Sequence, residues 1–120
     1  MKKQFFLKIG FGCDLNNTNY TKASSRAILN ALNQNQSFIG SGFNFSDKDL
    51  ILDVKIGVQK PQSVNLKFIE KKIKKNINYG KINFLVVNGG MDLEVNGITK
   101  IVSNVIISFS YEVTLNKKRG

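Results

Sequence analysis

Arg26 stands almost alone among lysines: the chain has 18 cationic side chains, and its only other arginine, Arg119, lies at the far end. A lysine serves wherever only positive charge is needed. A guanidinium one helical turn after Lys22, in Thr21-Lys22-Ala23-Ser24-Ser25-Arg26-Ala27, therefore marks a position suited to a planar, two-pronged donor that grips a carboxylate, a pair of carbonyls or a phosphate. Other polar residues from strand ends and a helix start can join it: Asp14, Lys22, Lys55 and the turn Asn88-Gly89-Gly90. In this set Lys22 and Arg26 would clamp an anion. The competing reading is an ion pair of Asp14 with Lys22 or Arg26 that only fastens the loop between them.

Much chemistry is excluded by composition. The chain has no histidine and a single cysteine, Cys13, so a Cys-His nucleophile, a histidine metal site and an internal disulfide are all ruled out. The carboxylates are scattered, and neither a metal nor a cofactor is expected. Gly10-Phe11-Gly12 after a strand resembles part of a phosphate-binding loop. It lacks the third glycine, however, and the next helix starts only near Thr21, too late for a dinucleotide turn. The glycines are better read as letting a strand bend against a neighbour.

The elements that must position these residues follow from periodicity. Phe5, Leu7, Ile9 and Phe11 alternate with Phe6, Lys8, Gly10 and Gly12, which predicts a strand. The polar run Asn16 to Asn19 predicts a loop, and Thr21 is the expected cap of a helix burying Ala23, Ala27, Ile28, Ala31 and Leu32. Lys22, Ser25, Arg26 and Leu29 share the neighbouring face. The aromatic stretch 38–45 is read as an ordered loop. A second strand over 49–58 places Leu50, Leu52, Val54, Ile56 and Val58 on one face, and Ile51, Asp53, Lys55 and Gln59 on the other. Pro61 ends it. A second helix starting at Ser63 or Asn65 turns Leu66, Ile69 and Ile73 inward and closes at Tyr79-Gly80. A third strand covers 81–88, Gly89-Gly90 breaks it, and Asn96-Gly97 marks the turn of a short hairpin-like excursion. The last strand buries Ile101, Val105, Ile107, Phe109, Tyr111 and Val113, with Ser103 interrupting the pattern.

This order, β-α-β-α-β-β, predicts an α/β (α+β) sandwich: a mixed sheet of about four main strands with two helices on one face. Residues 1–116 form one domain and 117–120 a basic, disordered tail. The sheet's other face collects Phe6, Ile51, Leu85 or its neighbours, and Ile106, among Lys8, Asp53, Lys55, Asn104 and Ser108. That mixture is too apolar for a bare surface, so a homo-oligomer, most simply a trimer, is expected.

The net charge of +10 resembles a nucleic-acid signature, but its densest cluster, Lys67, Lys71, Lys72, Lys74 and Lys75, sits on one predicted helix and reads as a solvated face. No nucleic-acid reading module is present, so nucleic acid is disfavoured as a partner. The alternative is a non-catalytic module whose basic helix meets a polyanion or acidic partner. The start Met1 to Leu7 imitates a signal peptide, yet its apolar run stops at Lys8. No stretch approaches the ~18 apolar residues of a membrane span. A cytoplasmic protein with no membrane partner is the expectation.

Ile9-Gly10-Phe11-Gly12-Cys13-Asp14-Leu15, Thr21-Lys22-Ala23 with Arg26-Ala27, Val54-Lys55-Ile56-Gly57-Val58 with Pro61, Tyr79-Gly80 and Asn88-Gly89-Gly90 together resemble a family of small conserved hypothetical bacterial proteins, the "Lin" family, over nearly the whole chain. Asn16 and Ile51 stand where that pattern usually has histidines. No activity comes with the resemblance. More distantly, the chain is similar to a single repeat of the ring-opening amidohydrolases, cyanuric acid hydrolase and barbiturase. The resemblance implies a strand lysine, matched by Lys55 as the candidate catalytic base, and a serine near a Gly-Gly turn, where this chain has Asn88; the ligand would be a small polar ring or a carboxylate held at subunit interfaces.

Overall fold

The computed structural model describes residues 2–15, 19–33 and 47–112. The aromatic segment 38–45 and the tail 117–120 lie outside the described residues. The elements are β1 (Lys2–Asp14), α1 (Tyr20–Leu32), β2 (Leu50–Val58), α2 (Leu66–Asn76), β3 (Lys81–Asn88), β4 (Met91–Val95) and β5 (Ile98–Glu112). The expected sandwich of a mixed sheet and two helices is therefore present, with the hairpin excursion forming a fifth strand. The sheet is open and runs β1-β5-β2-β3, with β4 paired to β5. β2 and β3, joined through α2, are parallel; every other pair is antiparallel.

Period-two patterning fixes which side of β2 and β5 is covered. Leu50, Leu52, Val54, Ile56 and Val58 are buried with Ile101, Val105, Ile107, Phe109 and Tyr111. Ser103 keeps the same side and is fully buried, its hydroxyl 3.2 Å from that of Ser24 on α1, so the polar interruption is paired across the core. The helices supply the second layer. Ala23, Ala27, Ile28, Ala31 and Leu32 of α1 are all buried, as are Ile69 and Ile73 of α2, with Leu66 partly covered. Ile82, Phe84 and Val86 of β3 pack against this core.

β1 reverses the expectation. Lys8, Gly10, Gly12 and Asp14 face the helices, while Leu7, Ile9 and Phe11 face away and are 52%, 51% and 61% exposed. The reason is the distance between α1 and the strand backbone. A Cβ on Gly10 would stand 2.2 Å from the Ala27 carbonyl oxygen, and one on Gly12 would stand 2.2 Å from the Ala27 nitrogen. The glycines admit the helix rather than bend the strand, and Ala23, Ala27 and Ala31 complete a contact made backbone to backbone. Lys8 is buried on this side, and burial pushes its ammonium pKa down.

Helix starts also differ from the sequence reading. Asn19, not Thr21, caps α1, its Oδ1 accepting from the Lys22 N–H at 2.9 Å. Asparagine reaches the first-turn amides from outside the helix. Thr21, inside the first turn, instead accepts from the Asn65 N–H at 2.8 Å and so ties the two helix starts together. Asn65 caps α2 through the Phe68 N–H at 3.1 Å, and the helix stops at Asn76, before Tyr79-Gly80. Asn96 and Gly97, at φ 53° and 78°, form the turn between β4 and β5.

The face opposite the helices is bare among the described residues at Leu7, Ile9, Phe11, Leu85 and Ile106. Register places Asp53 beside Ser108 and Lys55 beside Ile106 there, as the alternation requires. Ile51, expected to be open, is buried at 8%; Phe6 has no described side chain.

Substituting alanine separates close packing from turn geometry. Gly12→Ala is expected to lose about 3 kcal/mol or more through overpacking, whereas Gly97→Ala, with nothing within 4 Å of the new Cβ, should lose only about 1 kcal/mol for its left-handed φ. Urea denaturation of both variants measures this, and equal losses would contradict the backbone contact.

Candidate functional site

A groove of about 660 Å³ opens between the two helices. Lys22, Ser25, Arg26 and Leu29 line it from α1, at the i, i+3, i+4 and i+7 spacing of one helix face, beside the cap Asn19 and Thr21. Asn65, Phe68 and Lys72 line it from α2 at the same kind of spacing. The size suits a small molecule.

Its electrostatics are one-sided. Lys22, Arg26 and Lys72 contribute three cations, and no carboxylate is among the lining residues. Both helices begin here and neither has an acidic residue in its first turn, so the positive ends of two helix dipoles are left uncompensated. The Lys72 ammonium lies 5.5 Å from the Phe68 ring centre, an attractive arrangement for a cation over an aromatic face. Ser25 is 7% exposed, and its hydroxyl has no hydrogen-bond partner among the described residues.

Arg26 makes the structural tie weighed for it and also lines the groove. Its Nη1 donates to the Cys13 carbonyl at 2.8 Å and lies 3.9 Å from Asp14 Oδ1, while half of the side chain stays exposed. Asp14 is 2% exposed and lies outside the groove lining; its Oδ2 accepts from the Asn19 N–H at 2.9 Å. Asp14 is thus a brace: it fixes the end of β1 against the α1 cap and steadies the guanidinium that lines the groove.

The rest of the candidate set lies elsewhere. Lys55, Asn88 and Gly89 line a second pocket of about 370 Å³ on the open sheet face, with Ile9, Asn104 and Ile106. The sheet separates it from the helix groove, so Lys55 cannot act on a ligand held by Arg26. Gln59 braces the turn: it accepts from Asn88 Nδ2 at 3.1 Å, and its own amide donates to the carbonyls of Gly89 at 3.0 Å and Gly90 at 3.4 Å. Gly90 lies outside the pocket lining at φ 63°, a conformation glycine adopts freely.

Sequence reasoning missed Asn65, Phe68 and Lys72 as groove residues. Lys72 was counted with the solvated lysines, although Asn65, Phe68 and Lys72 at i, i+3 and i+7 share one face of α2. Among the described residues no cluster of three histidine, cysteine, aspartate or glutamate side chains could hold a metal. No helix of the described residues is long and apolar enough to cross a membrane.

A family model described as conserved hypothetical protein (Lin0512_fam) matches residues 4–109, and the chain belongs to that family. No curated protein matches. Among solved structures, an FtsZ-like protein of unknown function from Nostoc punctiforme PCC 73102 is similar, with 20% identity, a TM-score of 0.77, and coverage of 93% of this chain and 98% of that one. At that identity the likeness shows a common fold.

The brace and the clamp separate by mutation. Asp14→Ala removes a buried charged acceptor and should lower stability by about 1.5–3 kcal/mol. Arg26→Lys keeps a half-exposed cation and should change it by under about 1 kcal/mol. Chemical denaturation of the two variants checks this; equally large losses would make Arg26 a structural tie alone.

Proposed function

We propose that this member of the conserved hypothetical family is a self-associating protein that binds a small organic anion in the groove between α1 and α2. One observation carries the reading: three cations and two helix starts converge on a groove whose lining holds no carboxylate. Arg26 supplies the two-pronged donor and Lys22 and Lys72 supply point charges, while Phe68 and Leu29 offer apolar surface to a flat body. Because Cys13 and Asp14 already steady Arg26, less freedom is lost when an anion binds. The lining residues include no nucleophile–base pair, so the groove is read as a binding site rather than a reaction centre.

Self-association rests on the open sheet face, where Leu7, Ile9, Phe11, Leu85 and Ile106 would otherwise remain wet. The same face favours a second reading. Lys55, Asn88 and Gly89 share a pocket there that another copy would roof, at the positions the resemblance to ring-opening amidohydrolases assigns to a strand lysine and a Gly-Gly turn. With Asn88 in place of serine, and its amide committed to Gln59, covalent amide hydrolysis lacks a nucleophile. What remains of that reading is a polar ring held at a subunit boundary. The polyanion alternative keeps Lys67, Lys71, Lys74 and Lys75, which point to solvent on α2.

Calorimetric titration with a panel of aromatic carboxylates and phosphate monoesters tests the groove. Arg26→Lys should weaken binding by about 10- to 100-fold, the equivalent of ~1.5–3 kcal/mol, and Lys72→Gln by a smaller factor, with Lys55→Gln unchanged. Loss of binding in Lys55→Gln with Arg26→Lys unaffected would transfer the site to the open face. No binding to any member by the wild type would end the anion reading.

A further inference from the structure

β5 outruns its partners. β1 pairs with it as far as Ile101, and β2 only as far as Asn104. Toward Ile98, β4 and the start of β5 continue as a two-stranded arm, pairing Leu93 with Lys100, Glu94 with Thr99 and Val95 with Ile98; where Met91 pairs with Val102 and Asp92 with Ile101, β1 still flanks the other edge of β5. All residues of 91–98 are exposed. A two-stranded ribbon with both faces wet is marginal in water, so this one needs a surface.

The arm has one apolar side. Met91, Leu93, Val95 and Ile98 share the face that carries Lys100 and Val102, the four apolar side chains at exposures of 44–50%, and Asp92, Glu94 and Thr99 occupy the other. That apolar side is continuous with Phe11, Ile9, Leu7, Ile106 and Leu85 on the open sheet face. Together these residues expose on the order of 800 Å², the area each partner contributes to a standard specific interface and more than a typical monomer leaves bare.

Two further observations favour a second copy of the chain as the occupant. The arm, 91–100, carries Asp92 and Glu94 against Lys100, a net −1, so with the whole chain at +10 the remainder stands at +11. An acidic arm and a basic body attract each other between copies. The arm is also fixed in direction at its root, by ties to its own domain: Tyr20 on α1 donates its hydroxyl to Asp92, and Lys100 Nζ reaches the Leu15 carbonyl at 3.4 Å. Burial and then the Asp92 carboxylate push the Tyr20 hydroxyl up to about 12, so this tie stays protonated at neutral pH.

We propose that the β4–β5 ribbon is an exchange arm, which lays Met91, Leu93, Val95 and Ile98 on the open sheet face of a second copy, over Ile9, Phe11 and Ile106. The inference rests on the self-association reading and gives it a geometry. Arm and receiving face are different patches of one chain, so the contact closes either as a reciprocal pair or as a ring.

Sedimentation velocity of the full chain at micromolar concentration tests it. The wild type should exceed the mass of one chain. An arm variant, Leu93→Glu with Val95→Glu, and a face variant, Ile9→Glu with Phe11→Glu, should each sediment as single chains, and mixing them should restore a complex, because one retains the face and the other the arm. Val95→Thr with Ile98→Thr, which keeps β-branching, weakens the arm without a buried charge and should shift the assembly to higher concentration; circular dichroism confirms folding. A monomeric wild type would overturn self-association altogether. An oligomeric wild type with an equally oligomeric arm variant would overturn the arm alone, and monomeric variants that fail to complement would replace arm-to-face contact with face-to-face contact.

Discussion

The approach of α1 to the backbone of β1 governs both surfaces of this fold. With no side chain at Gly10 or Gly12, Ala27 sits where their Cβ atoms would be, and the helix lies directly on the strand. Because side chains alternate, committing the even positions of β1 to the helix sends Leu7, Ile9 and Phe11 to the opposite face. The open apolar face is therefore a consequence of the tight layer behind it. The same contact fixes the axis of α1 against the end of β1, which brings Arg26 to the Cys13 carbonyl and within reach of Asp14.

Charge is segregated along the same division. Lys22, Arg26, Lys67, Lys71, Lys72, Lys74 and Lys75 belong to the helix layer, whereas the central strands of the open face carry Lys55 with Asp53 nearby in register. A chain at +10 repels copies of itself through solvent. Keeping the cations of both helices behind the sheet would lower that repulsion for contacts made through the open face and, in the proposed assembly, leave the helix groove accessible to small anions.

Most of the sheet was legible because burial and alternation agree in β2 and β5: Leu50 to Val58 and Ile101 to Tyr111 name their own inner face. The odd positions of β1 read just as clearly as inward, and wrongly, since hydropathy scores Phe11 above Gly12 and carries no account of a helix that needs the space. The glycines were the signal, with Ala23, Ala27 and Ala31 as the matching small residues at helical spacing. The site was half legible for a similar reason. One helix face of α1 announced Lys22, Ser25, Arg26 and Leu29, but whether Phe68 and Lys72 oppose them depends on how α2 docks, which local periodicity does not encode. Parity puts Lys55 across the sheet from Arg26, where it shares a pocket with Asn88 and Gly89 at the end of β3.

The groove and the root of the arm are built from one short stretch of chain. Asp14 ends β1 and holds the Asn19 amide; Asn19 caps α1 through Lys22, a groove residue; and Tyr20, the next in sequence, donates to Asp92 on β4. Thr21 then ties this start to Asn65 at the head of α2. A shift of the α1 start must therefore be shared by the mouth of the groove and by the base of the ribbon, because the same backbone turn supplies the partners of both. On the proposed reading, anion binding and assembly would then be linked through Asp14 and residues 19–22 at the start of α1, and by thermodynamic reciprocity each would bias the other equally.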